Sequence, residues 1–461
     1  MRGVNPESVS DAVEEGYVYP DVDYEGYEFK ILNFSDFWDC YMRIDLDEQT
    51  GEMVDDAVFN RNRLVEDKLN FQLVEIVEPY PGWSGNNVTI TKLQQSIMAD
   101  DNEYDAAYGL LPYGTSILTD GYLVDLYTIP ELQLEEKWWD TSLNKILELK
   151  GHLYAASSPL QLMSLDLAWV LLFNKNILDN NKLDYPYDLV REGEWTIDKL
   201  NEYCTKIASL NGDDSFTFNP EGKASYGISA HQGTAVYMML ISAGNSFIEH
   251  DVEDGLVYKG ADERLYNTLD KLSALLSTSD GKVMFSSADS LTDTNGYYYW
   301  FYNDRTAFLT TELKGTKVMR SMASDYGILP APKFDENQEN YITFTSENVG
   351  RLLIPKTNDD LSRSGVILDA LSYESKKSVL PLYYNQTISQ KGLRDEDSIE
   401  MLNIINETRM TEIGKIFGIT TSMIDKLNSM IIKGEDNAAS IIASNENAVK
   451  EKLQSLLDSI E

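Results

Sequence analysis

Carboxylates are the most numerous side chains that could carry out chemistry in this sequence of 461 residues. Glycoside hydrolysis requires two of them, one acting as an acid and one as a base or nucleophile. The chain has 76 acidic residues, so pairs are inevitable and do not identify an active site. Asp166 differs, because it lies in the apolar stretch MSLDLAWVLLF, where an ionised carboxylate is costly without partners. It is either a structural acid with satisfied partners or an acceptor for a ligand.

Tryptophans provide a second group of candidates. The stretch EKWWD places Trp138 beside Trp139, and NFSDFWD places Trp38 shortly after Ser35 and Asp36. An indole ring can stack on a flat ligand or pack into a core, and the WW pair alone does not distinguish these roles. Trp38 follows a predicted strand, and open α/β sheets bind ligands at the carboxyl ends of their strands. Ligand contact and core packing both remain open for Trp38.

Metal and disulfide chemistry receive little support from the sequence. Cys40 and Cys204 are the only cysteines, which excludes a disulfide framework and a four-cysteine zinc site but leaves one disulfide open. The three histidines, His152, His231 and His250, lie outside any HExxH or CxxC context. The stretch LNGDDSFTF resembles a calcium loop but lacks the glycine at position six and the closing glutamate, which indicates an acidic turn. We therefore predict no metal and no cofactor.

Charge and length limit the class of protein. The formal net charge of -38 disfavours nucleic acid and anionic membrane surfaces as partners. No apolar run approaches the roughly 20 residues that cross a bilayer, and LAWVLLF is only long enough for a core element. A chain of this length exceeds one ordinary core, so two or more lobes of about 150 to 250 residues are expected.

The hydrophobic pattern predicts alternating strands and helices. Strands are expected at Tyr27–Phe34 and Phe71–Glu78, with a helix near Arg61–Leu69 between them. Thr196 precedes an apolar stripe of helical period and is typical of an N-cap. Further strands are predicted in ASYGISA, RTAFLTT and YGILPAPK, and Trp300, within GYYYWFYND, is assigned to the core of a helical region. This order of elements predicts α/β lobes.

Several stretches together resemble the family 1 extracellular solute-binding proteins of carbohydrate ABC transporters, particularly the lipoproteins of Gram-positive bacteria. They cover roughly residues 27 to 409, a set more specific than any single motif. The stretches are YDAAYGLLPYGTSILTDGYLVDL, KWWDTSLNKILELKGHLYAASSPLQLMSLDLAWVLLFNKNIL, PYDLVREGEWTIDKL, NDRTAFLTTEL, DYGILPAPKFDENQENY and RDEDSIEMLNIINETR.

The resemblance implies an α/β, two-lobed periplasmic-binding-protein-like fold with a hinge and a ligand cleft between the lobes. It implies a flexible acidic linker at 1–26, a first lobe at 27–160 and 330–380, and a more helical second lobe at 161–329 and 381–461. The chain would cross between the lobes near Ser157–Asp166, Tyr326–Lys333 and Leu380–Tyr384. Trp138 and Trp139 are then expected to pack as scaffold.

The resemblance also implies ligand contacts from the loops around the cleft. The expected ligand-binding residues are Ser35, Asp36, Trp38, Tyr108, Asp166, His231, Gln232, Thr311, Glu312, Ser346, Glu347 and Tyr384.

The function implied by the resemblance is that of a non-catalytic receptor, which delivers an oligosaccharide to the permease of an ABC transporter. We expect a monomer, lipid-anchored at the extracellular face of the cytoplasmic membrane, although the signal and the lipid-attachment cysteine are absent from the sequence given. The alternatives are an extracellular glycoside hydrolase and the same fold binding a peptide or another solute.

Overall fold

The computed structural model of the protein describes residues 16–80, 87–251, 255–388, 393 and 395–460, and strands and helices alternate through its first part. From the amino terminus to the first connection between lobes, the elements are β1 (Tyr27–Ser35), α1 (Met53–Leu69), β2 (Phe71–Pro79), α2 (Val88–Ala99), β3 (Ala106–Leu110), α3 (Ser116–Thr119), α4 (Thr141–Ile146) and α5 (Met163–Asp166).

The middle of the chain contains most of the second lobe. Its elements are β4 (Trp169–Asn174), α6 (Lys175–Asn180), α7 (Tyr187–Arg191), α8 (Ile197–Ile207), β5 (Tyr226–His231), α9 (Ala235–Ser242), β6 (Ile248–Asp251), β7 (Gly255–Tyr258), α10 (Glu263–Leu276), β8 (Val283–Ser286), α11 (Tyr297–Tyr302), β9 (Thr306–Glu312), α12 (Gly315–Met319), β10 (Tyr326–Leu329) and β11 (Thr343–Phe344).

The chain then returns to the first lobe and ends in helices that pack mainly on the second. These elements are β12 (Gly350–Leu353), α13 (Leu361–Glu374), a π-helical turn (Ser375–Val379), α14 (Leu380–Ile388), α15 (Glu396–Glu407), β13 (Arg409–Met410), α16 (Ile413–Ile416), α17 (Thr421–Lys433) and α18 (Ala438–Ser459).

Each lobe is built on its own sheet. The first sheet has the order β12-β3-β1-β2. Its strand β1 runs parallel to both of its neighbours, β2 and β3, whereas β12 runs antiparallel to β3. The second has the order β10-β4-β9-β5-β8, with β5 parallel to β9 and β4 antiparallel to its neighbours β9 and β10. Every residue of β4 is buried, which explains the continuous apolar run LAWVLLF. Each of the two sheets has its own large hydrophobic core.

Two of the three predicted connections between the lobes lie elsewhere. Leu380–Tyr384 is already part of the second core while Tyr373 packs in the first, so the last crossing lies between them. Tyr326–Lys333 is not a crossing, because β10 pairs with β4 and its residues belong to the second core. Tyr341 and Phe344, predicted in the first lobe, also pack in the second core. The chain crosses instead between Thr345, which bridges Ala168, and the start of β12. The apolar run YGIL forms the edge strand of the second sheet. As a strand it buries more apolar surface than it would in a connection between the lobes.

Residues 16–26 pack against the first lobe, so the prediction of a flexible linker is wrong for this part. The ring of Tyr17 stacks on Tyr373 with centroids 4.7 Å apart, and Tyr19 Oη donates to Glu374 Oε1 at 3.0 Å. The amide of Gly26 donates to the carbonyl of Asn70 at 2.8 Å. Tyrosine rings bury apolar area that an ordinary acidic tether lacks. Residues 1–15 of the predicted linker lie outside the described residues.

The tryptophan pair is scaffold, as predicted. Trp138 and Trp139 are 5% and 4% exposed, and both indole Nε1 groups donate to Asp369 Oδ1, at 2.9 and 2.7 Å. Gln133 donates to the same carboxylate from its amide nitrogen and its side chain. Burial raises the pKa of Asp369, and these hydrogen bonds oppose that shift. The acid therefore joins α13 to the segment before α4.

Other predictions concern single side chains. Trp300 is fully buried, as predicted, and its indole donates to the carbonyl of Thr294. Asp213, in the acidic stretch, accepts hydrogen bonds from the amides of Lys223 and Ala224 and so fixes a turn. Cys40 and Cys204 are free thiols, and burial raises the pKa of both. Among the described residues, no helix combines the length and apolar character needed to cross a membrane.

Candidate functional site

A cavity of about 820 Å³ lies between the two lobes. It is formed where parallel strands end: Trp38 follows β1, Tyr113 follows β3, His231 ends β5 and Glu312 ends β9. The second crossing contributes Ser346, Glu347 and Asn348, and the segment from α16 into α17 contributes Lys415, Gly418, Thr421 and Asp425. Carboxyl ends of strands are the usual ligand-binding edge of open α/β sheets. This cavity is therefore the candidate functional site.

The first lobe supplies an indole from the loop of residues 36–41, here called the Trp38 loop. Asp36, Trp38 and Asp39 adopt left-handed backbone conformations with φ of 60°, 51° and 54°. Such conformations are uncommon and cost energy outside glycine, so surrounding contacts must hold them. The Trp38 ring packs on Phe37 with centroids 4.2 Å apart, and Lys314 Nζ donates to the Trp38 carbonyl. The indole is thus positioned at the cavity by contacts from both lobes.

The second lobe supplies an aromatic wall. His231 lies 5.5 Å from the ring of Trp169 and 5.6 Å from the ring of Tyr297. Burial lowers the pKa of His231 to about 4; Asp289 opposes this shift, whereas Lys415 and Lys314 reinforce it. The imidazole is therefore neutral at pH 7.

Acidic groups outnumber basic groups in the cavity. Burial raises the pKa of Glu312, which Lys314 partly offsets. Glu347 Oε1 lies 3.0 Å from Lys415 Nζ, and that ammonium lies 4.4 Å from the ring centroid of Tyr237. The charged lining residues are the acids Asp39, Asp289, Glu312, Glu347 and Asp425 and the bases Lys314 and Lys415. Such a lining offers carboxylate oxygens as acceptors for hydroxyl groups and does not favour an anionic ligand.

Five of the predicted ligand-binding residues line this cavity: Trp38, His231, Glu312, Ser346 and Glu347. They come from four separate parts of the sequence, and each lies at or just after the end of a strand or in the second crossing. Their contact with a ligand stays a prediction.

The other seven predicted residues lie outside the cavity lining: Ser35, Asp36, Tyr108, Asp166, Gln232, Thr311 and Tyr384. Tyr108 and Tyr384 are buried in the cores of the first and second lobes. Thr311 is buried too, because successive residues of a strand face opposite sides and Glu312 takes the cavity side. Ser35 and Asp36 bond to each other in a neighbouring surface groove, and Gln232 is exposed, with its carbonyl bonded to Asn428.

Asp166 is a structural acid, which decides between the two roles that the sequence leaves open. Its side chain is 0% exposed and accepts three hydrogen bonds. Tyr41 N donates to Oδ2 at 2.6 Å, and Lys317 Nζ and Tyr383 Oη donate to Oδ1 at 2.9 and 2.7 Å. A carboxylate with these partners is compensated within the protein and leaves no oxygen facing the cavity.

Sequence reasoning missed part of the aromatic wall. Trp169 belongs to LAWVLLF, which the sequence predicts only as a core element; it is buried, yet it also lines the cavity. It pairs directly with Glu312, because β4 runs antiparallel to β9 and so begins at the edge where β9 ends. Tyr297 and Tyr113 were missed for a similar reason: nothing in their local spacing indicates which edge of a sheet they reach.

No protein-family model and no curated protein matches this sequence. Solved structures do match its fold. An ABC substrate-binding protein from Listeria monocytogenes, solved in complex with cycloalternan, has a TM-score of 0.56 and 13% identity, covering 93% of this chain and 99% of its own. A sugar transporter protein from Rhizobium etli, in an open conformation, has a TM-score of 0.61 and 14% identity, covering 92% and 99%.

A third similar structure is the galacto-N-biose-/lacto-N-biose I-binding protein of an ABC transporter from Bifidobacterium longum, in complex with lacto-N-biose. It has a TM-score of 0.59 and 12% identity, covering 94% of this chain and 98% of its own. Identities at this level establish the fold alone. The predicted two-lobed, periplasmic-binding-protein-like α/β fold is confirmed.

Proposed function

We propose that the protein is a non-catalytic receptor that binds a neutral oligosaccharide in the interlobe cavity and delivers it to the permease of an ABC transporter. The observation that carries this proposal is the cavity lining, in which aromatic rings from both lobes surround an excess of carboxylates. The shared fold supports it, since similar structures contain cycloalternan and lacto-N-biose.

The chemistry of a sugar fits this lining. A pyranose has apolar faces and a rim of hydroxyl groups, so rings stack on it while carboxylates and amides bond to the rim. Trp38 offers a ring from the first lobe, and Trp169 and Tyr297 offer rings from the second. A volume of about 820 Å³ suits a ligand of more than one sugar unit, because ligand pockets for drug-sized molecules span roughly 300 to 1,000 Å³.

The proposal also covers the cellular location of the protein and its partners. We infer that the receptor is a monomer held by a lipid anchor at the extracellular face of the cytoplasmic membrane, as in the Gram-positive lipoproteins that the sequence resembles. The two lobes then present their rims around the cavity to the permease. Sedimentation should show a monomer with and without ligand, and a stable dimer would contradict this part.

A glycoside hydrolase is the second candidate, because one observation favours it. The pKa of Glu312 is raised by burial within a cavity that contains other carboxylates, and a raised pKa is what a general acid requires. This candidate predicts turnover, whereas the receptor predicts binding alone. If the protein releases reducing ends from bound oligosaccharides and Glu312→Gln abolishes this release, the protein is a hydrolase and not a receptor.

A calorimetric screen tests the proposed function directly. Neutral oligosaccharides from plant fibre, starch and host glycans would be compared with short peptides, and each binder would be checked for turnover. We expect binding of a neutral oligosaccharide, no reducing-end release, and a smaller radius of gyration with ligand because the lobes close on it. Binding of peptides alone would overturn the assignment of a sugar ligand.

A further inference from the structure

Asp166 lies where the two hydrophobic cores meet. It ends α5 in the first crossing, where Leu165 packs in the second core and Leu167 packs in the first. Its three donors come from three different parts of the fold: Tyr41 N from the Trp38 loop, Lys317 Nζ from α12 of the second lobe, and Tyr383 Oη from α14. A single carboxylate in the first crossing therefore joins the Trp38 loop of the first lobe to two elements of the second lobe, since Tyr383 packs in the second core.

The same residue reaches the Trp38 loop by a second route. The Asp166 carbonyl accepts from the amide of Lys314 at 3.1 Å, and Lys314 Nζ donates to the carbonyl of Trp38. The loop is thus fastened at two points, at Trp38 by Lys314 and at Tyr41 by Asp166. Both fastenings come from outside the first lobe.

The conformation of the loop explains why it needs such fastening. Three of its non-glycine residues are in the left-handed region, and strained conformations persist only when surrounding contacts hold them. A hydrogen bond from a backbone amide to a buried carboxylate is charge-assisted and among the stronger contacts available. We infer that Asp166 is a positioning residue that holds the Trp38 loop in place, so that the indole faces the cavity before a ligand binds. The expected effect on affinity rests on the proposed function, but the position of the indole does not.

The two carboxylate oxygens of Asp166 accept hydrogen bonds from different donors. Replacing one oxygen with an amide nitrogen therefore tests the inference. Oδ2 accepts from Tyr41, and Oδ1 accepts from Lys317 and Tyr383. In Asp166→Asn only one oxygen remains, and the Lys317 ammonium attracts it because a cation cannot face an amide N–H₂ group. The amide nitrogen then faces the Tyr41 N–H, and the loop loses its acceptor.

Removing the competing cation should return the oxygen to the loop. In the double variant Asp166→Asn with Lys317→Met, the amide oxygen can accept from Tyr41 while its N–H₂ group donates to the hydroxyl of Tyr383. The single variant Lys317→Met leaves both Asp166 oxygens in place and is the matched control. Lys317 does not line the cavity. The inference therefore predicts strong non-additivity between these two substitutions.

The first readout needs no ligand. Protein labelled with 5-fluorotryptophan would be studied by fluorine NMR, with Trp38→Phe assigning the Trp38 resonance and the Trp139 resonance as internal reference. We expect Asp166→Asn to shift or broaden the Trp38 resonance, and Lys317→Met and the double variant to leave it near the wild-type position. An unchanged Trp38 resonance in folded Asp166→Asn would overturn the inference.

The second readout is the affinity for a neutral oligosaccharide identified by the screen. Binding should weaken by about tenfold in Asp166→Asn, because only a fraction of the protein then presents the indole correctly, and should return to within about threefold of wild type in the double variant. Equal losses in the single and double variants would assign Asp166 a merely structural role. If no sugar binds, the proposed function fails while the fluorine result still decides the inference.

Folding is monitored for every variant by thermal unfolding. If Asp166→Asn does not fold, two measurements remain. The amide of Tyr41 in the ligand-free wild type should exchange with solvent as slowly as core amides, and fast exchange would overturn the inference. The double variant has a neutral network in place of the ion pair and should show the same Tyr41 protection; its loss there would also count against the inference.

Discussion

Two buried aspartates in this protein hold tryptophan-bearing segments, and their surroundings differ in one respect. Asp369 accepts all its hydrogen bonds from the first lobe, including those from Trp138 and Trp139. Asp166 accepts from the Trp38 loop of the first lobe and from α12 and α14, which pack on the second lobe. The first acid completes a core, and the second joins the two lobes.

The comparison shows that burial of a carboxylate does not by itself indicate function. Both acids satisfy the same physical requirement, since each has enough donors to offset the loss of water. What separates them is whether the tryptophan that they hold faces solvent. Trp138 and Trp139 are buried, whereas Trp38 is half-buried and lines the cavity.

The largest expected effect tests the scaffold side of this comparison. Trp139→Ala removes a buried ring and a donor to Asp369, so the free energy of unfolding should fall by about 3 to 5 kcal/mol. Urea denaturation measures the loss. The remaining folded protein should bind oligosaccharide with wild-type affinity, and weakened binding at unchanged stability would reverse the roles of the two regions.

The cleft side should respond in the opposite way. Trp38→Ala should cost roughly 1 to 3 kcal/mol of oligosaccharide binding, the scale of a buried aromatic contact, because it removes a ring that faces the cavity. Trp38→Phe keeps a ring and serves as the matched control with a smaller loss. Calorimetry measures binding, and an unchanged dissociation constant for the alanine variant would remove Trp38 from the binding site.

The pH dependence of stability tests the environment of His231 in the aromatic wall. Because the pKa of His231 falls from 6.5 to about 4 on folding, its contribution is fully present above pH 6.5 and is lost as the pH falls towards 4. Between pH 7 and pH 5, wild type should lose on the order of 1 kcal/mol more unfolding free energy than His231→Gln.

Urea denaturation of both proteins at the two pH values gives this difference. Glu412 acts with the opposite sign, since its pKa is raised to about 7 and its contribution is lost as the pH rises from 4.5 to 7. Glu412 is present in both proteins, so its effect cancels. Equal pH dependence in both proteins would mean that His231 is not held neutral by the fold.

The smallest effect concerns the segment that packs beside the tryptophan pair. Tyr19→Phe removes the hydrogen bond to the buried Glu374 and should lower the free energy of unfolding by about 0.5 to 1 kcal/mol. Tyr127→Phe is matched to it, because Tyr127 makes the same kind of bond to Glu148 at an exposed site and should cost almost nothing. Equal costs, measured by denaturation, would show that residues 16–26 are not a packed part of the lobe.

Sequence pattern predicted those strands and helices whose formation depends on neighbouring residues in the chain. The short apolar runs at residues 27–34 and 71–78 predicted β1 and β2, which run to Ser35 and Pro79. Thr196 was predicted as an N-cap, and its side chain accepts from the amide of Lys199 at the start of α8. The linker prediction failed for residues 16–26 because it rested on their acidic composition. The tyrosines of this segment pack on a surface that exists only in the folded lobe.

The sequence by itself determined the two-lobed α/β class, the strands β1, β2, β5, β9 and β10, and the region after β1 as part of the candidate site. Tertiary structure alone decided which carboxylates face the cavity. Glu312 and Thr311 are neighbours in sequence, yet strand alternation points one to the cavity and buries the other, and the antiparallel pairing of β4 with β9 adds Trp169 beside Glu312. Asp166 was ambiguous because its donors lie at positions 41, 317 and 383, and only the folded chain brings them within hydrogen-bond distance of one carboxylate.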